Sequence, residues 1–365
     1  MYGRVLIGSA MKLHSGFSPL LLAFRLTLFL DSIKLFHDKQ TVNGTRTYIL
    51  HFFNAESAVP GAYDQLCMNL PLRTIPLRVP TEKSTTLINI QIQQESVGPG
   101  KTGLAVWNSA LLLGRLLEAL ALANTDATTS NNNSNGNNPD DDASLSSSSP
   151  RFFLRNQQVV EIGCGTGLVS IMASLLGAKS VWATDGNPAA VALTASNFKR
   201  NAIPFKKNIN PVVSSPSSSS DSNNNNSYQS EASSDNVVTN LQWGELQVPL
   251  EWMGQADIVL GSDLTYNSGS WRDLAETMES LLTRKGYVLY LSLGHAGFNV
   301  RGEMDGFLSV AKQVGLTVKS TSPLPFSLPS SVSSLDALLQ STILPSEQAI
   351  LSVTGGAQVV VLGRP

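Results

Sequence analysis

The middle and the end of the chain alternate between short apolar runs and stretches with helical spacing of apolar positions. Gln158–Ile162 is an apolar run closed by glycines, and Leu168–Leu176 follows with one apolar face every three to four residues. Ser180–Thr184 predicts a second strand stopping at Asp185. Pro188 suits the first turn of a helix over Ala189–Arg200. Val237–Trp243 and Asp257–Gly261 predict two further strands, Ser270–Thr283 a helix, Tyr287–Ser292 a fifth strand and Gly306–Val314 another helix. Leu316–Ser320 and Gln358–Leu362 are the candidate closing strands. Upstream, Thr86–Gln94 alternates apolar and polar residues as a half-buried strand does, and Leu104–Leu122 predicts a Leu/Ala-rich helix reached through Gly98-Pro99-Gly100. Residues 31–80 predict irregular strand and loop. Strands alternating with helices imply an α/β domain: a doubly wound, mostly parallel sheet covered on both faces.

Two low-complexity tracts interrupt this pattern, 124–150 and 214–235. Their Ser/Asn runs lack the apolar content to offset ordering entropy, so both are expected to be disordered insertions. Each is expected to join a helix end to a strand start, on the edge of the sheet away from a ligand at the strand carboxyl ends. A domain over 86–365 preceded by an extension over 1–85 follows.

Composition narrows the function classes. With 42% apolar residues the chain can build a sizeable core, and its net charge of −2 argues against a nucleic-acid partner. Cys67 and Cys164 are too few for a disulfide framework, so a reducing compartment is expected. No apolar run approaches the roughly 20 residues that span a bilayer, so no membrane partner is expected. The four histidines show no metal-ligand spacing, and no metal is expected. The first thirty residues hold Arg4, Lys12 and Arg25 and no acid. That leaves mitochondrial or plastid targeting as the alternative to a cytoplasmic protein. Asn43-Gly44-Thr45 matches a glycosylation acceptor without other signs of secretion.

The chemistry concentrates at strand ends. Glycines at 163, 165 and 167 allow a tight turn after the first strand, and the next helix presents free N–H groups to a ligand. A dinucleotide fingerprint needs a third small residue where this chain has Leu168, which disfavours an oxidoreductase. Asp185 lies 20 residues past Gly165, where a carboxylate can accept both hydroxyls of a ribose; Asp185-Gly186-Asn187-Pro188 also reads as a turn and helix cap. Trp243 either covers a planar ligand or is a core aromatic. Trp107 either walls the site or caps the core. His295, after the fifth strand, faces the same edge.

Four segments resemble the seven-strand, class I protein-lysine methyltransferases of methyltransferase family 16. They are Thr102-Gly103-Leu104-Ala105-Val106-Trp107, the turn from Glu161 to Leu168, Leu241-Gln242-Trp243-Gly244, and Gly261-Ser262-Asp263-Leu264-Thr265-Tyr266. The resemblance covers roughly residues 86 to 320 without the tracts. It implies a seven-stranded sheet, mostly parallel with an antiparallel closing strand. It also implies S-adenosylmethionine as cofactor, held by Trp107, Glu161, Gly163, Cys164, Gly165, Gly167, Asp185, Trp243 and Ser262. Asp263 and Tyr266 are implied to position the acceptor amine, and the implied partner is a protein bearing the target lysine, met by a monomer. A nucleic-acid amine methyltransferase would instead show a proline-containing base-stacking motif, absent from Ser262–Tyr266. A small-molecule methyltransferase and a silent cofactor-binding interaction protein remain as alternatives.

Overall fold

In the computed structural model the described residues are 37–42, 45–50, 70–81, 84–95, 102–129, 153–208, 235–293, 300–319, 328, 332–344, 347 and 357–365. The basic N-terminal stretch, Asn43-Gly44, Gly98–Gly100 and His295 lie outside them. The chain divides into two units, Met1–Pro60 and Gly61–Pro365. In the first, β1 (His37–Val42) and β2 (Thr45–Leu50) form an antiparallel hairpin.

The second unit contains a separate antiparallel pair, β3 (Leu72–Pro80) and β4 (Thr85–Gln93). Ile75, Leu77, Ile90 and Ile92 bury one face of it against α1 (Asn108–Thr129). The strand expected at 86 to 94 is therefore β4, and the sequence boundary at 86 falls inside it. Helix α1 begins later than expected, after a 3-10 turn at Thr102–Leu104, and runs on to Thr129. The first residues of the first tract are thus helical.

The main sheet is built from β5 (Gln158–Ile162), β6 (Ser180–Asp185), β7 (Lys206–Asn208), β8 (Val237–Asn240), β9 (Ala256–Ser262), β10 (Leu282–Leu293), β11 (Thr317–Val318) and β12 (Ala357–Gly363). Their order is β11-β12-β10-β9-β5-β6-β8-β7. All neighbours from β10 to β7 are parallel; β12 inserts antiparallel between β10 and β11. This is the expected doubly wound, mostly parallel sheet with its antiparallel closing strand, extended by one short edge strand. The connecting helices are α2 (Leu168–Leu175), α3 (Pro188–Arg200), α4 (Trp271–Leu281) and α5 (Val300–Gln313).

Successive strand residues point to opposite faces, so each strand feeds two cores. Val159, Val181, Ile258 and Leu289 pack with α1, α2 and α3, whereas Val160, Val259 and Val288 pack with α4 and α5. A sixth helix, α6 (Leu335–Thr342), joins the first core through Leu335, Leu338 and Leu339. Sequence periodicity missed it because it is only eight residues long.

Strand β7 corrects the placement of the second tract. Asn208 pairs in register with Thr239, one residue before the carboxyl end of β8. The chain therefore leaves β7 at the ligand-side edge and returns at the amino end of β8, rather than running from a helix end. The polar sequence Lys206-Lys207-Asn208 carries no apolar period; backbone pairing with β8 alone makes it a strand.

Candidate functional site

A cavity of about 560 Å³ opens at the carboxyl ends of β5, β6, β8 and β9. Parallel strands converge there with free N–H groups at the following helices, so this edge is where an α/β sheet holds ligands. The cavity is lined by Trp107, Glu161, Gly163, Cys164, Gly165, Asp185, Trp243, Ser262, Asp263 and Tyr266. Those are ten of the eleven residues named from sequence. The eleventh, Gly167, is elsewhere: it caps α2 at φ 79°, and a Cβ there would come within 2.6 Å of Thr194 Cγ2. Its glycine serves packing against α3, a role that spacing along the chain does not separate from ligand contact.

The acid of the first strand is tied into the turn. Glu161 is 2% exposed. Its Oε2 accepts the Ser170 N–H at 2.8 Å and also the Ser170 hydroxyl. Ser170 is the third residue of α2, whose N-cap supplies no side-chain acceptor, so Glu161 caps this helix from the strand. Burial nevertheless dominates and pushes its pKa up to about 8, the Ser170 bonds opposing and nearby Asp185 adding to the rise. The folded protein thus holds this proton to about pH 8, whereas the unfolded chain releases it near 4.5. Stability is expected to fall as pH rises through this window, because the folded state binds the extra proton. Melting temperatures from pH 5 to 8 should show a shallower decline in Glu161→Gln than in the wild type; equal slopes would refute the assignment.

Asp185 is buried at the end of β6. Its Oδ2 accepts the Gly165 N–H at 2.9 Å and its Oδ1 accepts the Asn187 N–H at 2.8 Å. Desolvation raises its pKa, partly offset by those two amides. Each carboxylate oxygen has a second acceptor position, so the side chain shapes the glycine turn and can still receive hydroxyl donors. The helix cap considered as an alternative belongs to the neighbour: the Asn187 side chain accepts the Ala189 N–H.

On the opposite wall, Asp263 adopts a left-handed backbone (φ 50°), a conformation Asp tolerates better than most residues. Its Oδ1 accepts the Leu293 N–H at 2.7 Å and the Ser292 hydroxyl at 3.2 Å, fastening the loop to the end of β10. Leu264 turns inward onto the glycine turn. A Cβ on Gly163, itself at φ 64°, would lie 2.6 Å from Leu264 Cδ2. Tyr266 is 65% exposed and stands on the cavity wall.

Gly103, Asn187, Gln242, Leu264 and Ser270 also line the cavity and went unnamed from sequence. Gln242 is held by its Nε2 donating to the Gly186 carbonyl at 2.7 Å, bridging the ends of β8 and β6. Gly103 and Gln242 sit inside the quoted segments, so adjacency to Trp107 and Trp243 was the available signal. Among the described residues no cluster of three His, Cys, Asp or Glu could hold a metal, and no helix is long and apolar enough to cross a membrane.

A family model described as lysine methyltransferase matches residues 218–296, spanning Trp243, Ser262, Asp263 and Tyr266. A second model, ribosomal protein L11 methyltransferase, matches residues 146–243, which hold the glycine turn and Asp185. Protein N-lysine methyltransferase METTL21A of Danio rerio is 34% identical over 136 residues, covering 37% of this chain and 49% of that protein. Protein-lysine N-methyltransferase EFM3 of Chaetomium thermophilum is 24% identical over 247 residues, covering 62% and 56%. The chain spans about half the length of these two curated relatives. A solved TehB-like SAM-dependent methyltransferase from Corynebacterium glutamicum aligns at 14% identity and a TM-score of 0.33, over 58% of this chain and 82% of that one. The lysine methyltransferase match and the ribosomal protein L11 methyltransferase match meet on one cavity, the former on the β8–β9 wall and the latter on the β5–β6 wall.

Proposed function

We propose that the chain is an S-adenosylmethionine-dependent methyltransferase acting on a lysine side chain of a protein substrate. The observation that carries this reading is the meeting, in one cavity, of the glycine turn and Asp185 with Asp263 and Tyr266. The relatives' names support it, and their protein substrates favour a protein over a nucleic acid or small molecule.

The cavity's donor set suits the cofactor. Asp185 offers acceptor positions for a ribose diol, Trp243 a face for adenine, and buried Glu161 a carboxylate whose ionisation a neighbouring cation would favour. S-adenosylmethionine bound there supplies a methyl group activated on a sulfonium. The chain's own work is alignment and exclusion of water. Asp263, anchored to β10, and Tyr266 on the cavity wall position the incoming amine. A lysine must also shed its proton, its ordinary pKa being about 10.4, and the exclusion of water when a protein acceptor docks on this exposed wall would favour the neutral amine.

Purified protein incubated with radiolabelled methyl donor and a cell lysate should label protein, recovered as methyl-lysine on hydrolysis. Label confined to RNA or small molecules would sink the lysine reading, and no cofactor binding in calorimetry would sink the enzyme reading. Asp263→Asn and Tyr266→Phe should each slow transfer by roughly tenfold or more through lost alignment, with cofactor affinity kept within about threefold. Wild-type rates in both would show that the acceptor is positioned by other groups.

A further inference from the structure

Behind the wall that carries Asp263 and Tyr266 lies a polar hub whose centre is buried. The side chain at its centre is Tyr290, on β10 and fully buried. Its hydroxyl accepts two consecutive loop amides, the Leu264 N–H at 2.7 Å and the Thr265 N–H at 3.1 Å. It donates in turn to the Thr265 hydroxyl at 3.2 Å, which donates to Glu303 Oε1 at 2.7 Å in the first turn of α5. The Thr265 carbonyl receives the Trp271 indole N–H at 2.7 Å from the start of α4. The indole ring can lie there only because Gly306 of α5 has no side chain: a Cβ would approach it to 2.5 Å.

Every polar group of Thr265, a residue 1% exposed, is therefore partnered by an element other than the loop itself. A loop residue tied to β10, α4 and α5 cannot shift without breaking several buried bonds at once. Thr265 sits between Leu264, which rests on Gly163, and Tyr266. Fixing it fixes the path of both neighbours.

We propose that Tyr290, acting through Thr265 and Glu303, is the positioning residue that holds the Asp263–Tyr266 loop in its acceptor-aligning conformation. This rests on the methyl-transfer reading above. The ring itself is set by packing against Gly261, whose Cβ would meet Tyr290 Cδ2 at 3.2 Å, and by Phe307 at 5.9 Å between ring centroids. The hydroxyl is therefore the separable part, and Tyr290→Phe removes it while leaving the ring contacts in place. Two loop amides then lose their acceptor in a dry environment.

The test uses full-length wild type, Tyr290→Phe and Thr265→Val, the last removing the same hydroxyl chain from its other end. Three quantities are read: turnover with a protein acceptor, cofactor Kd, and amide hydrogen exchange at Leu264 and Thr265. Tyr290→Phe should expose these two amides to exchange, whereas Thr265→Val keeps their acceptor and severs only the link to Glu303; both should lower turnover roughly 10- to 100-fold through misplacement of Asp263 and Tyr266. Cofactor Kd should stay within about twofold, because Asp185 and the glycine turn hang on β5 and β6. Glu303→Gln, which keeps an acceptor for the Thr265 hydroxyl, should retain most of the turnover, whereas Glu303→Ala should not. Amides still protected in Tyr290→Phe, or turnover unchanged once they are freed, would overturn the proposal. So would a matching loss of cofactor affinity, which marks a general structural role. A wild type that transfers no methyl group defeats the functional reading instead, and amide exchange then still decides whether Tyr290 holds the loop.

Discussion

Replacing Arg115 with alanine is expected to destabilise the folded unit by about 3–5 kcal/mol, enough to lower its melting temperature by roughly 10 °C. Arg115 is 1% exposed in the middle of α1. Its Nε and Nη2 grip the Glu347 carboxylate at 2.9–3.0 Å, and its Nη1 donates to Glu118 Oε2 at 2.8 Å and to the Pro76 carbonyl at 2.6 Å. Glu118 Oε1 meanwhile accepts the backbone and side-chain N–H groups of Arg78 in β3. Burial by itself would lower the Arg115 pKa, but the carboxylates of Glu347 and Glu118 outweigh it and raise it. The formal charges of Arg78, Arg115, Glu118 and Glu347 cancel, so the network is tolerated away from water only while complete. Removing the arginine strands Glu347, which among the described residues keeps only the Leu344 amide. Thermal and denaturant unfolding read the loss directly. The double variant Arg115→Met with Glu347→Leu should recover most of it, since an apolar replacement leaves no unpaired charge. A single variant within about 1 kcal/mol of the wild type would mean that water reaches these carboxylates.

The second large effect concerns the cofactor. Asp185→Ala should weaken S-adenosylmethionine binding roughly 100-fold in calorimetry, the equivalent of about one strong hydrogen bond to a charged group. Two losses combine. On the proposed reading the ribose hydroxyls lose their acceptor, and the Gly165 amide, 2.9 Å from Oδ2, loses the bond that shapes the turn. Asp185→Asn keeps one acceptor oxygen and should fall between. The unfolding midpoint without cofactor should move far less than the affinity, because Asp185 lies at the cavity rather than in either apolar core. An affinity within threefold of the wild type in Asp185→Ala would place the ribose elsewhere.

The parts of this molecule that were legible in its sequence are those where one residue pattern has one physical solution. The apolar run before Gly163 can only be a buried strand, and an acid at the end of the next strand can only face the same edge. Ten of the eleven named residues therefore line one cavity. Gly167 stands outside that lining, because a left-handed helix cap and a ligand cradle demand the same residue. The N-terminal pair β3–β4 stayed hidden for a different reason. Leu72–Pro80 contains two prolines and two arginines, which blur its alternation, and its strand character comes from pairing with β4 and from the carboxylate of Glu118. Edge strand β7 has no apolar pattern to read. The Tyr290 hub was invisible because its partners come from separate elements, whose juxtaposition exists only once the sheet has formed.

Leu264 touching Gly163 ties the two halves of the site together. The glycine turn and the Asp263–Tyr266 loop meet on one van der Waals surface, so a side chain introduced at Gly163 would have to push Leu264 aside and the loop backbone with it. A single methyl group added to one wall of the cavity would therefore reshape the other.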